Sequence, residues 1–367
     1  MSLSATSILR RESRGTLRVM NAPGFICIIL KESDAHQDAI EMPERPAWEI
    51  KRTVTVKAED DYDRGLGMPP EERSFQQTIK RGVLVIDKVP GPTSHEVVAW
   101  VKKLMEIEGV GHGGTLDPKV TGVLPVCLEE STKIVQALLD SGKEYVAVMR
   151  THEDVAEDQL VKTLKMFEGE IFQRPPLRSA VSRRLRTRTI YRIDYLEGDG
   201  RNWLFRVSCQ SGTYIRKLCA DVGEVLGGGA HMHELRRVRS GPFTEDQAVT
   251  LYDLADALDL RSEGDEAPLK KMIRPIEDAL SLLPHVWVRD SAVEALCTGA
   301  QLAVPGILRF ESGIEAKGLI AVMTQRDEAV ALMKAEMDDG DITKAEHGIA
   351  AIPERVIMHR GTYPKKW

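Results

Sequence analysis

The feature that most constrains the fold is a glycine-rich loop between two apolar segments. Residues 111–122 read Gly-His-Gly-Gly-Thr-Leu-Asp-Pro-Lys-Val-Thr-Gly and contain four glycines, one carboxylate and one proline. Glycine lets the backbone turn where a Cβ would clash, and it lets a substrate approach closely. Pro118 restricts Asp117 to an extended conformation. The sequence therefore predicts that Asp117 is presented on a tight loop and is not packed in the core.

The chemical role of Asp117 stays open on these residues alone. A carboxylate held on a loop can be a general base, a metal ligand or a covalent nucleophile. Within ten positions of Asp117 the only other acidic residue is Glu108, which weakens the interpretation as a metal cluster or a glycosidase carboxylate pair. The structural alternative is an Asx-type turn, in which Asp117 only caps its own backbone.

Hydrophobic patterning places this loop in a fold of strands and helices. The apolar run at 82–87 predicts a buried strand, and Ser94 is expected to cap a helix that continues to Leu104. Residues 50–56 alternate like a strand, and the acidic stretch 257–266 is expected to be a loop. Because strands and helices mix without strict β-α-β alternation, the pattern favours an α+β sheet fold.

Cysteine usage and hydropathy indicate the cellular compartment. The five cysteines are odd in number and scattered, without C-x-x-C spacing, so neither a disulfide framework nor a zinc site is expected. No apolar run approaches the ~20 residues that a membrane helix needs. We therefore expect a protein of the reducing cytoplasm.

Charge is segregated along the chain. The net charge of -6 argues on average against nucleic-acid binding. Residues 171–193, however, contain seven arginines and no acidic residue. Arginine binds phosphate without committing to a base sequence, so this segment predicts RNA contact on one face. The candidate RNA-binding residues are Arg174, Arg178, Arg183, Arg184, Arg186 and Arg188.

Several motifs together resemble the TruB-type RNA pseudouridine synthases. Gly-Gly-Thr-Leu-Asp-Pro at 113–118, with Thr-Gly-Val-Leu-Pro at 121–125, is similar to the active-site loop of that family. Further matching segments extend the resemblance over about residues 48–367, at 87–95, 142–145, 212–216 and 235–243. Within the family the chain most resembles the catalytic subunit of archaeal H/ACA guide-RNA particles, a relative of dyskerin.

The resemblance implies a domain organisation. The catalytic domain, at 46–280, would be built on a mixed, mainly antiparallel sheet, and its segment 46–80 would pack on the second domain. That second domain, at 281–367, would be a small, β-barrel-like PUA domain that binds RNA. Residues 1–45 precede the resemblance and are expected to be a disordered extension.

The resemblance also implies the reaction and the residues that perform it. Uridine would be flipped out and isomerised to pseudouridine without metal or cofactor. Asp117 would be the nucleophile, Arg216 its charge partner and Tyr145 the platform that stacks on the base. Six further residues are substrate-binding candidates: His112, Tyr214, Leu235, Lys88, Thr93 and His95.

Three functions remain possible at this point. The first is a guided synthase acting on ribosomal or transfer RNA with an H/ACA guide RNA, a small zinc-ribbon protein, a β-barrel protein and a kink-turn-binding protein. The second is a stand-alone synthase acting on the T-loop of transfer RNA. The third is a non-catalytic RNA-binding scaffold. The presence of Asp117, Tyr145 and Arg216 together argues against a scaffold, which has no need of all three.

Overall fold

The computed structural model describes residues 45–59, 65–174 and 184–365. The α-helices in these ranges are α1 Phe75–Lys80, α2 Ser94–Met105, α3 Val135–Asp140, α4 Glu157–Lys165, α5 Ile215–Leu226, α6 Leu251–Ser262, α7 Ala267–Met272, α8 Asp290–Cys297 and α9 Asp339–Lys344. The strands β1 to β9 are Val54–Val56, Gly82–Lys88, Val110–His112, Thr121–Leu128, Lys143–Thr151, Gly169–Gln173, Arg186–Asp199, Asn202–Cys209 and Ala230–Ser240. The strands β10 to β17 are Phe243–Thr244, Ile273–Pro275, His285–Val288, Leu302–Ala303, Ile307–Glu311, Leu319–Met323, Ala329–Ala335 and Ile349–Val356.

The chain divides into two compact units. The first unit consists of Met1–Pro46 and Gly142–Val238. The second unit consists of Ala47–Ser141 and Arg239–Trp367. Strand β9 passes from the first unit into the second at its last two residues. The expected extension at 1–45 lies outside the described residues except for Arg45.

The first unit is a sheet with two helices on it. Its strands lie in the order β9-β5-β8-β7-β6. Strand β8 pairs antiparallel with β5 and β7, and β7 pairs antiparallel with β6; Tyr145 lies opposite Val207. Helices α4 and α5 cover the sheet and contribute Leu160 and Leu218 to the core, where both side chains are fully buried. Since apolar side chains alternate along β8, this strand buries Phe205 and Val207 on the helix side.

The second unit contains the strands that carry the glycine-rich loop. Strand β2 lies between β11 and β4 and pairs antiparallel with both, and β3 pairs with the other edge of β4. All four side chains from Val83 to Ile86 are fully buried, so both faces of β2 are covered. The strand predicted at 82–87 is thus confirmed, because a continuous apolar run suits a strand with two covered faces.

A second sheet, of seven strands, follows in the same unit. Its order is β1-β14-β12-β15-β16-β17-β13, and every pairing is antiparallel except β12 with β15. Helices α8 and α9 pack on it and share a core with Val286, Phe310 and Val330. The expected α+β class with mixed, mainly antiparallel sheets is confirmed.

Two local expectations were wrong. Thr93, and not Ser94, caps α2, because Thr93 and Glu96 form a reciprocal capping box that leaves Ser94 as the first helical residue. The acidic stretch expected to be a loop is largely helical: α6 begins after a second capping box, Thr250 with Asp253. Its buried residues are three positions apart, so the acidic side chains occupy the solvent face of an amphipathic helix.

The strand expected at 50–56 is limited to Val54–Val56.

We expect Arg73→Met to lower the free energy of unfolding by about 3 to 5 kcal/mol. Two hydrogen bonds of 2.7 Å join the guanidinium of Arg73 to the carboxylate of Glu277, and these side chains are only 4% and 10% exposed. Removing the guanidinium leaves a buried carboxylate without its cation. Chemical denaturation followed by circular dichroism measures the change.

The matched control is Arg274→Met, which breaks the partly exposed ion pair between Arg274 and Asp278. This pair is screened by solvent, so its loss is expected to cost about 1 kcal/mol or less. Equal losses for the two variants would contradict the assignment of Arg73 as a buried structural cation.

Candidate active site

A buried lysine holds the part of the glycine-rich loop that follows Asp117. Lys88, the last residue of β2, is 1% exposed. Its Nζ donates hydrogen bonds to the carbonyl oxygens of Val89 at 3.0 Å, Pro118 at 2.9 Å and Val120 at 2.9 Å. An ammonium has three protons, so these three acceptors satisfy it. Lys88 is a substrate-binding candidate by sequence, whereas this geometry favours a role in ordering the loop.

Further hydrogen bonds fix the backbone around Asp117. The buried hydroxyl of Ser94 accepts from the Leu116 N–H at 2.8 Å and donates to the Leu116 carbonyl at 3.3 Å. The Gly91 N–H donates to the Pro118 carbonyl at 2.9 Å, and the Val120 N–H donates to the Asp117 carbonyl at 2.9 Å. The residues on either side of Asp117 are therefore anchored, whereas Asp117 itself is exposed.

Two histidines meet at this loop, His112 within it and His95 in α2. The imidazole rings of His95 and His112 meet edge to face with their centroids 5.0 Å apart. His112 Nδ1 accepts a hydrogen bond of 3.3 Å from the Gly114 N–H, so in the neutral ring the proton is on Nε2. Thr93 is half-buried at the start of α2, where it pairs with Glu96. Lys88, Thr93, His95, His112 and Asp117 thus all belong to the second unit.

The remaining candidates belong to the first unit. Tyr145 is half-buried on β5 and packs against the core of that unit, as does Leu235 on β9. The side chain of Arg237 in β9, 1% exposed, lies near enough to the Tyr145 hydroxyl to act on it electrostatically. Burial raises the pKa of Tyr145, and the positive charge of Arg237 partly offsets this rise.

A buried glutamine fixes the segment that leads to Arg216. Gln173, 2% exposed, accepts from the Tyr214 N–H at 2.9 Å and donates to the Tyr214 carbonyl at 3.2 Å. Helix α5 starts at the next residue and carries Arg216, which is exposed, in its first turn. Gly212 has a φ of +74°, and a Cβ there would lie 3.2 Å from the Arg188 guanidinium, so this turn requires glycine.

Four of the six candidate RNA-binding arginines can be placed. Arg174 follows β6 and Arg184 precedes β7, and both are exposed. Arg186 and Arg188 lie on β7 and are half-buried, and an Arg188 Nη1 proton is donated to the Thr187 carbonyl at 2.7 Å. Arg178 and Arg183 lie outside the described residues.

Sequence reasoning missed three residues that support the site. Ser94 was read as a helix cap, but its hydroxyl instead binds Leu116. Arg237 lies in a run with Arg236 and Arg239, and strand alternation in β9 separates its side chain from that of Arg236 but not from that of Arg239, so the sequence does not mark it as buried. Nothing in the sequence marks Gln173, because its partner is a backbone amide 41 positions away.

Family models match the chain almost continuously from residue 47 to residue 357. The model for the N-terminal domain of TruB family pseudouridylate synthases matches residues 102–159 and 149–215, and that for the tRNA pseudouridylate synthase B C-terminal domain matches 216–281. A PUA domain model matches 284–357, and a DKCLD domain model matches 47–98. The chain belongs to the TruB family of pseudouridine synthases.

Curated relatives in this family are similar over nearly their whole length. The "Probable tRNA pseudouridine synthase B" of Methanopyrus kandleri is 55% identical over 324 residues, which are 88% of this chain and 96% of that protein. The protein of the same name from Pyrococcus furiosus is 54% identical and is covered to 95%, with 87% of this chain aligned.

Solved structures agree with this assignment. A chain in the crystal structure of a Cbf5-Nop10-Gar1 complex is 53% identical, with a TM-score of 0.85, 88% of this chain aligned and 98% of that chain covered. A chain in an H/ACA RNP bound to a substrate RNA is 50% identical, with a TM-score of 0.83, 88% of this chain aligned and 100% of that chain covered.

Among the helices in the described ranges, none has the length and apolar character required to cross a membrane.

We expect Lys88→Met to lower the free energy of unfolding by about 2 to 4 kcal/mol, because three carbonyl oxygens lose a charged donor. The rate of pseudouridine formation should fall by a larger factor than the affinity for RNA, since the substitution frees the backbone that presents Asp117. Denaturation curves and single-turnover assays measure the two effects.

Lys133→Met is a suitable comparison, because Lys133 Nζ donates to one backbone carbonyl, that of Ile357 at 2.8 Å. It should cost less stability and leave the single-turnover rate within about twofold, which is ~0.4 kcal/mol. Equal single-turnover rates for the two variants would show that Lys88 does not order the loop.

Proposed function

We propose that the chain is the catalytic subunit of an H/ACA guide-RNA particle that isomerises uridine to pseudouridine in ribosomal RNA. The observation that carries the proposal is the anchored loop: Lys88 and Ser94 fix the backbone around an exposed carboxylate, Asp117. A scaffold would gain nothing from a buried ammonium that holds a surface carboxylate in place.

The proposed reaction breaks the glycosidic bond from C1′ to N1, turns the base and rejoins it to C1′ through C5. Asp117 is the nucleophile and must be ionised to attack. Arg216 supplies positive charge that favours the ionised carboxylate. Tyr145 stacks on the flipped uracil, which repays part of the unstacking cost of a few kcal/mol.

The other candidates receive supporting roles in this proposal. His112, beside the loop, helps to displace the target base, and Leu235 closes the pocket with apolar bulk. Tyr214 packs below the base, and its backbone is held by Gln173. Thr93 and His95 order the loop at the start of α2 or contact phosphate of the RNA. None of these steps uses a metal or a cofactor.

Guidance by RNA is favoured by the domain content and by the solved relatives. A DKCLD model matches 47–98 and a PUA model matches 284–357, on either side of the TruB segments. We place the catalytic domain at 46–280 and the PUA domain at 281–367, where the PUA domain would hold the ACA end of the guide.

Two similar chains come from a complex with Nop10 and Gar1 and from an H/ACA RNP. We propose corresponding zinc-ribbon and β-barrel partners here, together with a kink-turn-binding protein.

A stand-alone synthase acting on transfer RNA is the second candidate function. One observation favours it: the curated relatives carry the name "Probable tRNA pseudouridine synthase B". Both functions use the same residues, so only the dependence on a guide separates them.

Substituting Asp117→Asn should abolish pseudouridine formation while leaving RNA binding within about twofold, or ~0.4 kcal/mol. Asparagine has the shape of aspartate but is not a nucleophile. The assay compares the protein alone on transfer RNA with the protein plus guide and partners on a matching ribosomal fragment.

The control is Asp256→Asn, an equivalent change at an exposed residue of α6, which should keep full activity. Turnover by the Asp117 variant would exclude Asp117 as nucleophile. A wild-type protein that binds RNA and makes no pseudouridine under either condition would support the scaffold.

Replacing Arg184→Gln should weaken RNA binding about equally for all sequences and lower the salt slope by ~0.7 to 0.9. The reason is that this exposed arginine would neutralise one phosphate. Binding titrations at several salt concentrations measure both effects, with Arg150→Gln, an exposed arginine of β5, as control. An unchanged salt slope would remove Arg184 from the RNA contact.

A further inference from the structure

The turn that leads into α5 is hydrogen-bonded to two neighbouring strands. Gln173, the last residue of β6, accepts from the Tyr214 N–H at 2.9 Å and donates to the Tyr214 carbonyl at 3.2 Å. Gln210, the first residue after β8, accepts through its side chain from the Thr189 N–H of β7 at 3.2 Å, and its own N–H donates to the Thr189 carbonyl at 2.8 Å. Both ends of the turn 210–214 are therefore fixed to β6 and β7.

Strands β6 and β7 also bracket the part of the chain that carries most of the candidate RNA-binding arginines. Four of the six lie at 174–185, between the two strands. Gln173 pairs with Arg186 where β6 ends and β7 begins. Strand alternation places Gln173 on the same face as Ile171, which shares the core with α5. The strand that leads to the arginines thus directs a glutamine amide toward the start of α5.

The contact fixes the residue from which α5 starts. Tyr214 is the N-cap residue, and its backbone is extended. Its carbonyl accepts from the N–H groups of Lys217 at 3.1 Å and Leu218 at 3.0 Å, which are the first hydrogen bonds of the helix. Gln173 donates to the same carbonyl. Because Arg216 lies in the first turn of α5, its backbone position follows from that of Tyr214.

We propose that Gln173 is a positioning residue for the isomerisation, which sets the start of α5 and thereby the places of Tyr214 and Arg216 at the substrate. This inference rests on the proposed function, in which these two residues act on the flipped uridine. Gln173 is 2% exposed, so it acts through Tyr214 and does not touch the RNA. It also fixes α5 relative to the strand that leads to the arginines at 174–185.

The side-chain amide of Gln173 has two tasks at once, since it accepts from one backbone group and donates to another. A glutamate at this position would have the same length. Its neutral carboxyl group can accept and donate, whereas its carboxylate can only accept. The carboxylate would also bring a negative charge against the Tyr214 carbonyl oxygen. Glutamate therefore replaces glutamine only while it is protonated.

Two measurements follow the effect of Gln173→Leu, which removes both hydrogen bonds. Hydrogen exchange of the Tyr214 amide, read by NMR on the full chain, should become faster because this N–H loses its acceptor. The single-turnover rate in the particle with guide and partners, at saturating substrate RNA, should fall about 10- to 100-fold, as expected for a misplacement of ~1 Å in a preorganised site. The dissociation constant for the RNA should change less than about twofold, or ~0.4 kcal/mol.

Gln173→Glu adds a pH profile that a general contribution to folding does not predict. The single-turnover rate of this variant, divided by the wild-type rate at the same pH, should be highest at low pH, where the carboxyl group is neutral. The ratio should fall as the pH rises through the pKa of that group. Burial disfavours the carboxylate, so the fall is expected above the ordinary glutamate pKa of ~4.3.

Leu160→Ala is the matched control, because Leu160 lies in α4, is fully buried in the same core and lies outside the turn 210–214. The substitution removes core volume and lowers stability. Measured below the unfolding temperature of every variant, its single-turnover rate should stay within about twofold of wild type, or ~0.4 kcal/mol.

Faster exchange at Tyr214 in Gln173→Leu without slower pseudouridine formation would overturn the proposal. Equal losses of rate in Gln173→Leu and Leu160→Ala would also overturn it, since that pattern describes general destabilisation. A Gln173→Glu variant as slow as Gln173→Leu at low pH would have the same consequence. A wild-type particle that makes no pseudouridine would refute the proposed function and this role with it, while hydrogen exchange would still report whether Gln173 holds Tyr214.

Discussion

The buried ammonium of Lys88 is the interaction on which the candidate site depends. It lies at the end of β2, a strand with both faces covered, and it binds the carbonyl oxygens of Pro118 and Val120, which follow Asp117 in the loop. Such a charge is tolerated in the core only because its three protons are all accepted. These hydrogen bonds attach the loop to a rigid strand, although its glycines would otherwise leave it flexible. The backbone that presents the exposed carboxylate of Asp117 is thereby fixed.

The first unit repeats this principle with different groups. Gln173 binds both backbone polar groups of Tyr214, and the buried Arg237 lies near the hydroxyl of Tyr145. Each support is a buried polar side chain whose partner lies far away in the sequence or on a neighbouring strand. Residues proposed to contact substrate are exposed or half-buried, whereas those that hold them are buried. This division is what preorganised sites require.

Much of the fold and of the candidate site could be predicted from local sequence. The strand at 82–87 is visible as an apolar run, and the loop that presents Asp117 is visible from its glycines and Pro118. The supporting contacts could not be predicted, because Ser94 with Leu116 and Gln173 with Tyr214 depend on tertiary pairing. The helix α6 was missed since its acidic residues dominate the composition, and only the spacing of Leu254 and Ala257 reveals the buried face. The cluster of seven arginines at 171–193 predicts RNA contact, whereas the net charge of -6 argues against it.

The most direct test of the account is to change the pairing sequence of the guide RNA in the reconstituted particle and to map pseudouridine in one RNA that offers several uridines. If the protein catalyses the isomerisation and the guide RNA selects the target, the modification moves to the newly matched uridine and disappears from the former one. Modification that stays at the same uridine whatever the guide, or that forms equally well without one, would contradict the account and identify a synthase that selects its own target.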